Sequence, residues 1–150
     1  MRLRRTNSNP QVEAQIREVR EVKLGYVVAY VADVDATIEW WERAFGLSRR
    51  FVAEDGSYGE IDTGATTLSF ASHAMGKANL PGGFVAHDPA GPPAALEIAL
   101  VTDDVPAAHA HAIDAGAREL AGPKQKPWGQ TVSYVRDPNG VLIELCSPVA

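Results

Sequence analysis

One hundred and fifty residues suit a single domain with a sizeable core, and 45% apolar with 22% charged residues is an ordinary globular balance. The net charge of −5 divides unevenly, because residues 1–23 carry six Lys/Arg against three Glu (+3), leaving −8 for the rest. An acidic body argues against nucleic acid and favours a cationic or metal-bearing partner. No apolar run reaches the roughly 20 residues of a membrane span, and the single Cys146 points to a reducing cytoplasm.

In chain order, residues 1–10 (MRLRRTNSNP) are polar and expected to be disordered. From Gln11 to Lys23, Val12, Ile16, Val19 and Val22 recur at three- and four-residue spacing. That pattern predicts a short amphipathic helix packed on the domain or on a second subunit, with a frayed extension as the alternative. A repeat follows. LGYVVAYVADVDATIEWWERAFG (24–46) and ALEIALVTDDVPAAHAHAIDAGA (95–117) each run from an apolar strand through an Asp-Val step into a helix that stops near a glycine. Val34 pairs with Val105, an offset of 71. Asp33 and Asp104 stand where a helix N-terminus wants an acceptor, and Gly46 and Gly116 stand at the helix stops.

The next segments also match. YGEIDTGATTLSFAS (58–72) resembles WGQTVSYVRDPNGVLIELCS (128–147), making Tyr58 and Glu60 the repeat partners of Trp128 and Gln130. DPNG is strong turn chemistry. Each half therefore reads as strand, helix, then two or three antiparallel strands. Halves this small must share one core. The Gly/Pro-rich stretch 73–93 between them is a linker or a loop over a site.

Alternation sorts each strand into a purely apolar face, destined for the helices, and a mixed face. The mixed faces carry Tyr26, Val28 and Tyr30; Thr67, Ser69 and Ala71; Glu97, Ala99 and Val101; and Leu142, Glu144 and Cys146. The repeat makes Tyr26 equivalent to Glu97 and Ser69 to Glu144, which predicts an inner ring of these four. Two carboxylates facing each other across a partly dry cavity call for a cation, a shared proton or hydrogen-bond donors.

The paired plan and the ending RDPNGVLIEL resemble the vicinal oxygen chelate superfamily, which includes glyoxalase I, fosfomycin- and bleomycin-resistance proteins, extradiol dioxygenases and methylmalonyl-CoA epimerase. The resemblance spans roughly 24–148, with modules at about 24–72 and 94–148 after an N-terminal extension, 1–23. It implies an α+β fold of two βαβββ modules forming a concave, half-barrel-like mixed sheet with helices outside, and a homodimer. Members bind a divalent metal from the first and last strands of each module, positions that here carry Tyr26, Ser69, Glu97 and Glu144. Glu144 matches the expected terminal glutamate. Glu97 stands where a histidine is common, and Tyr26 where His or Glu is usual. Such a ring suits Zn²⁺ or Fe²⁺ poorly, although oxygen ligands can hold Mg²⁺ or Mn²⁺.

Two functions follow as expectations. The first is a cytoplasmic protein that binds a small molecule between the modules without the His-containing metal site. Its ligand contacts would be Tyr26, Tyr30, Ser69, Tyr58, Glu60, Trp128, Gln130 and Tyr134. The second is a divalent-metal-dependent lyase, isomerase or dioxygenase using Mg, Mn, Ni or Zn, with Glu97 and Glu144 as ligands or catalytic groups. A weaker third is an interaction subunit acting through its N-terminal helix. Neither nucleic acid nor membrane is expected as a partner. His109 and His111 are expected at the surface and Cys146 as a structural thiol, while His73 and His87 flank the Gly/Pro-rich segment within reach of a pocket mouth.

Overall fold

The computed structural model describes residues 9–18 and 21–149, with side chains for 9–15 and 21–149. The predicted disorder of residues 1–8 and the helical reading of 19–20 lie outside the described residues. Helix α1 (Pro10–Glu18) begins at Asn9, whose side chain accepts from the Gln11 N–H at 2.9 Å, with Pro10 in the first turn. Module 1 follows as β1 (Tyr26–Val31), α2 (Val34–Phe45), β2 (Ser48–Val52), β3 (Tyr58–Asp62) and β4 (Thr67–Ser72). Module 2 repeats it as β5 (Glu97–Val101), α4 (Val105–Asp114), β6 (Arg118–Gln125), β7 (Thr131–Arg136) and β8 (Leu142–Cys146). Between them, the stretch expected to be linker or loop opens with a helix, α3 (His73–Asn79). Ser72 caps it by accepting from Met75 N–H at 3.1 Å, a cap hidden in a sequence that reads as Gly/Pro-rich.

The chain has the α+β class with two βαβββ modules. Its strands form two four-stranded mixed sheets, ordered β1-β4-β3-β2 and β5-β8-β7-β6. The parallel pairs, β1 with β4 and β5 with β8, carry the same register, Val28 opposite Ser69 and Ala99 opposite Glu144. Asp33 and Asp104 cap α2 and α4 through the N–H groups of Ala36 and Ala107. Gly46 ends α2 in the left-handed region at φ 66°, where a Cβ would be strained.

One core serves both modules: Ile38, Trp41, Ile61 and Phe70 from the first join Ala112, Val135 and Ile143 from the second. The helices meet across an approximate two-fold relation. Trp40 on α2 donates its indole N–H to Ala115 O at 2.8 Å, and its repeat equivalent His111 on α4 places Nε2 2.9 Å from Arg43 O. Each ring thus satisfies a carbonyl at the end of the facing helix.

The DPNG turn does more than reverse the chain. Asp137 is 3% exposed; its carboxylate accepts from Asn139 N and Val141 N at 2.9 and 2.8 Å, and from Trp41 Nε1 at 3.1 Å. Asn139 donates to Thr37 Oγ1 at 3.0 Å. A turn of module 2 is thereby fastened to the middle of α2. Arg136, also buried, donates to the carbonyls of Asp88, Gly91 and Gly140 at 2.8, 2.6 and 3.0 Å, which holds the connecting segment. Substituting Asp137→Ala would strand the Trp41 N–H and open the turn at a dry interface. A loss of about 3 kcal/mol is expected, read as a lower urea midpoint; a loss below about 1 kcal/mol would mean that the turn is not what joins the modules.

Candidate functional site

The mixed faces of the two sheets each gather a polar cluster. In module 2, Glu97 on β5 and Glu144 on β8 lie close enough that Glu144 helps push the Glu97 carboxyl up from its ordinary value, after the larger effect of partial burial. The Tyr134 hydroxyl, on β7 directly opposite Glu144, donates to Glu144 Oε1 at 3.0 Å. Burial first, then that bond and the charge of Glu144, push the Tyr134 pKa up to about 12, so Tyr134 remains a donor at any physiological pH. Cys146, next on the same face, is pushed up mainly by burial and then by Glu144. It is a protonated, buried thiol, not a nucleophile.

In module 1, Tyr58 and Glu60 on β3 meet Ser69 on β4. Tyr58 donates to Glu60 Oε2 at 2.7 Å. Its pKa is raised chiefly by burial, while the neighbouring Ser69 hydroxyl lowers it and Glu60 raises it. Arg50 on β2 was not legible as a site residue; its guanidinium lies 3.6 Å from Glu60 and 3.4 Å from Asp62 and donates to Thr67 Oγ1 at 3.0 Å. The module 1 carboxylate is therefore partnered by a cation and a phenol. Glu97 has no hydrogen-bond or ion-pair partner among the described residues, and Glu144 has only neutral donors.

Of the four residues read as a ring, Glu97 and Glu144 lie near each other, whereas the register sets Tyr26 opposite Thr67 and Val28 opposite Ser69. Among the described residues no hydrogen bond or ion pair joins Tyr26 or Ser69 to Glu97 or Glu144. Tyr26 and Val28 are 59% and 42% exposed, and Ser69 is buried, donating to Val27 O at 3.4 Å. Tyr30 stacks on Phe84, with centroids 5.1 Å apart, and Phe84 meets His73. His87 has a buried Nδ1 with no partner among the described residues.

Two expectations need correction. The strand registers place Tyr134 opposite Glu144 where Glu60 stands opposite Ser69, so the repeat partner of Glu60 is Tyr134 and not Gln130. Trp128 and Gln130 lie in the turn before β7, bonded to each other at 2.8 Å, with Gln130 donating to Ser147 O. Aligning the aromatic-Gly openings misled because the β6–β7 hairpin is longer than its counterpart. His109 is the second correction, being 5% exposed. Its Nδ1 lies 2.9 Å from Ser133 Oγ and its Nε2 2.7 Å from Glu119 Oε2. The signal was available: the offset of 71 places His109 at the position of core residue Ile38, and Ser133 replaces Gly59, where a Cβ would lie 2.3 Å from Ile38 Cδ1. Serine fully buried on the helix side of its sheet offers no access to a substrate.

The family description "Glyoxalase/Bleomycin resistance protein/Dioxygenase superfamily" matches residues 23–145. The chain belongs to that superfamily. Among solved structures, a glyoxalase-related enzyme from Fulvimarina pelagi superposes with a TM-score of 0.72 at 17% identity, covering 84% of this chain and 88% of the other. A glyoxalase/bleomycin resistance protein/dioxygenase family enzyme from Burkholderia phytofirmans PsJN gives 0.71 at 18% identity, covering 86% and 100%. A third, a glyoxalase/bleomycin resistance protein/dioxygenase from Nocardioides, gives 0.68 at 14% identity, covering 91% and 92%. At such identities the likeness concerns the fold. No curated protein matches the chain.

The donor set decides how well a superfamily metal would fit. Among the described residues no three His, Cys, Asp or Glu side chains lie together in a way that could hold a metal ion. At the ring positions the chain offers two carboxylates, a phenol and a buried hydroxyl, and no imidazole. These residues do not fit a His-containing centre.

The unpaired carboxylate makes its own prediction. Glu97 ionises less readily folded than unfolded, so the folded state is relatively favoured at low pH and loses that advantage as pH rises through the raised value. Glu97→Gln should therefore melt higher than the parent at neutral pH, with the difference vanishing near about pH 4. Equal melting temperatures across that window would show that Glu97 is fully solvated.

Proposed function

We propose that this glyoxalase/bleomycin resistance superfamily chain is a cytoplasmic binding protein that holds a small organic cation against Glu97 and Glu144. The observation that carries this reading is the asymmetry of the two clusters. Glu60 is neutralised by Arg50, whereas Glu144 adds to the charging cost of Glu97 and, among the described residues, no basic side chain pairs with either. A positive group placed there relieves the repulsion. Tyr26, Tyr58 and Tyr134 supply flat walls, and aromatic faces favour a cation as well. The ligand would lie between a module 2 cluster and a module 1 cluster, and Tyr30 and Ser69 would complete the apolar and polar lining. No hydrogen bond or ion pair among the described residues joins the two clusters, and in this reading a second copy completes the pocket, giving a homodimer. The lone buried thiol is consistent with a reducing compartment.

The same carboxylate pair favours one other reading, a weakly held divalent cation such as Mg²⁺ or Mn²⁺ in an enzyme of the superfamily. The two separate by thermal shift. Amine-bearing compounds at a hundred times their Kd should raise the melting temperature by about 5–10 °C, and Glu144→Gln should abolish the rise. Neutral isosteres should give no shift. A rise with Mg²⁺, Mn²⁺, Ni²⁺ or Zn²⁺ after chelation, and none with amines, would replace the binding reading with the metal-dependent one.

A further inference from the structure

The mixed face of module 2 is sorted by charge from one edge to the other. Residues directly opposite each other on neighbouring strands share a face of the sheet, so the registers lay out its rows. One row runs from Glu97 through Leu142 and Arg136 to Arg118. The next runs from Glu144 through Tyr134 to Ala121, and a third from Cys146 through Val132 to Lys124. Both acids of this face therefore stand on β5 and β8, and its cations on β7 and β6. Glu119, the one acid of β6, does not offset them, because it stands opposite Val135 and reaches His109 on the helix side.

Two of the three cations are already engaged. Arg136 gives its guanidinium to the carbonyls of Asp88, Gly91 and Gly140, and Arg118 donates to Pro89 O at 2.9 Å. The connecting segment thus occupies the arginine end of the first row. Lys124 is different. It is exposed, and the ion pairs among the described residues use Glu42, Glu60, Asp62 and Glu119, so Lys124, Glu97 and Glu144 enter none. Strands about 4.8 Å apart, with alternate residues about 6.7 Å apart, set the Glu144 and Lys124 backbones about 12 Å from each other. Between them lie only the Tyr134 ring and the small Ala121 and Val132 side chains.

We infer that the ligand is a zwitterion, held with its ammonium at Glu97 and Glu144 and its carboxylate at Lys124. After both side chains have extended along the face, a gap of about 6 Å is left for the molecule's two charges to span. An α-amino acid carries both charges on one carbon and is too short for both ends. An ω-amino acid, or a larger molecule ending in one, has the right length, and its methylene chain lies over the Tyr134 ring. This inference rests on the cation reading above and narrows it: the same carboxylates take the amine, and Lys124 selects among amines by what they carry at the far end.

Titration of the full chain, followed by NMR chemical shifts, tests it with three probes of equal length: 5-aminopentanoate, 5-aminopentanamide and pentanoate. The zwitterion should bind about fivefold tighter than the amide, as one added exposed ion pair allows, and pentanoate more weakly than either. Lys124→Gln, a change at an exposed strand position, should bring the zwitterion to the level of the amide and leave the amide's Kd unchanged. Lys124→Arg should restore the preference, and Glu144→Gln should weaken both amines. Equal binding of the two amines, or a preference that survives Lys124→Gln, would overturn the zwitterion and leave the cation reading standing. Binding of neither amine would overturn both. Pentanoate binding as tightly as 5-aminopentanoate would do the same, since the ammonium would then contribute nothing.

Discussion

The two modules are joined through one carboxylate. Asp137 closes its own turn with two backbone N–H groups and reaches Trp41 with its second oxygen. A buried carboxylate is tolerable only when its lone pairs are filled, and here the filling comes from both modules. The turn can therefore be satisfied only if α2 is present and correctly rotated. Once Trp41 is fixed, Trp40 on the same helix reaches Ala115 O, and the reciprocal contact from His111 to Arg43 O follows. The shared core is thus aligned by directional bonds at its edges, while burial of Ile38, Phe70, Val135 and Ile143 supplies the driving force.

Joining the modules through α2, α4 and this turn has a consequence for the sheets. The apolar strand faces are consumed by the shared core, and the mixed faces point away from it. The Glu60 cluster on β3–β4 and the Glu144 cluster on β7–β8 occupy equivalent places in the two sheets. β1 and β5 each remain at the outer position of their sheet. Outer strands bearing exposed apolar side chains are a liability unless something covers them.

Much of the fold was legible because its signals are local. The Asp caps, the stop at Gly46, strand alternation and the DPNG turn each depend on a few adjacent residues, and the offset of 71 tied the two halves together. The registers then place Ser69 and Glu144 at equivalent positions, as the repeat alone indicated. What could not be read was long-range or hidden by composition. Arg50 finds Glu60 across a strand pair with a register shift, which no spacing rule anticipates. Asp137 looked like a turn residue, and its bond to Trp41 spans 96 positions. Helix α3 was concealed by the glycines and prolines that follow it. Trp128 and Gln130 were misaligned because hairpin length differs between the modules, and an alignment anchored on Glu144 would have found Tyr134.

The repeat is most informative where its two copies differ. Module 1 buries Ile38 against Gly59 with no room for a side chain, whereas module 2 sets His109 against Ser133 and Glu119 at the same place. On the mixed faces the change runs through charge: Glu60 is held by Arg50 and Tyr58, and Glu144 by Tyr134 with Glu97 nearby. Glu144 adds to the cost of charging Glu97, and a singly charged pair would avoid that repulsion. A cluster that burdens the fold and is not compensated within it is where a binding function is to be sought. Under the proposed binding reading, module 2 would carry the recognition chemistry and module 1, already neutralised by Arg50, would supply the wall.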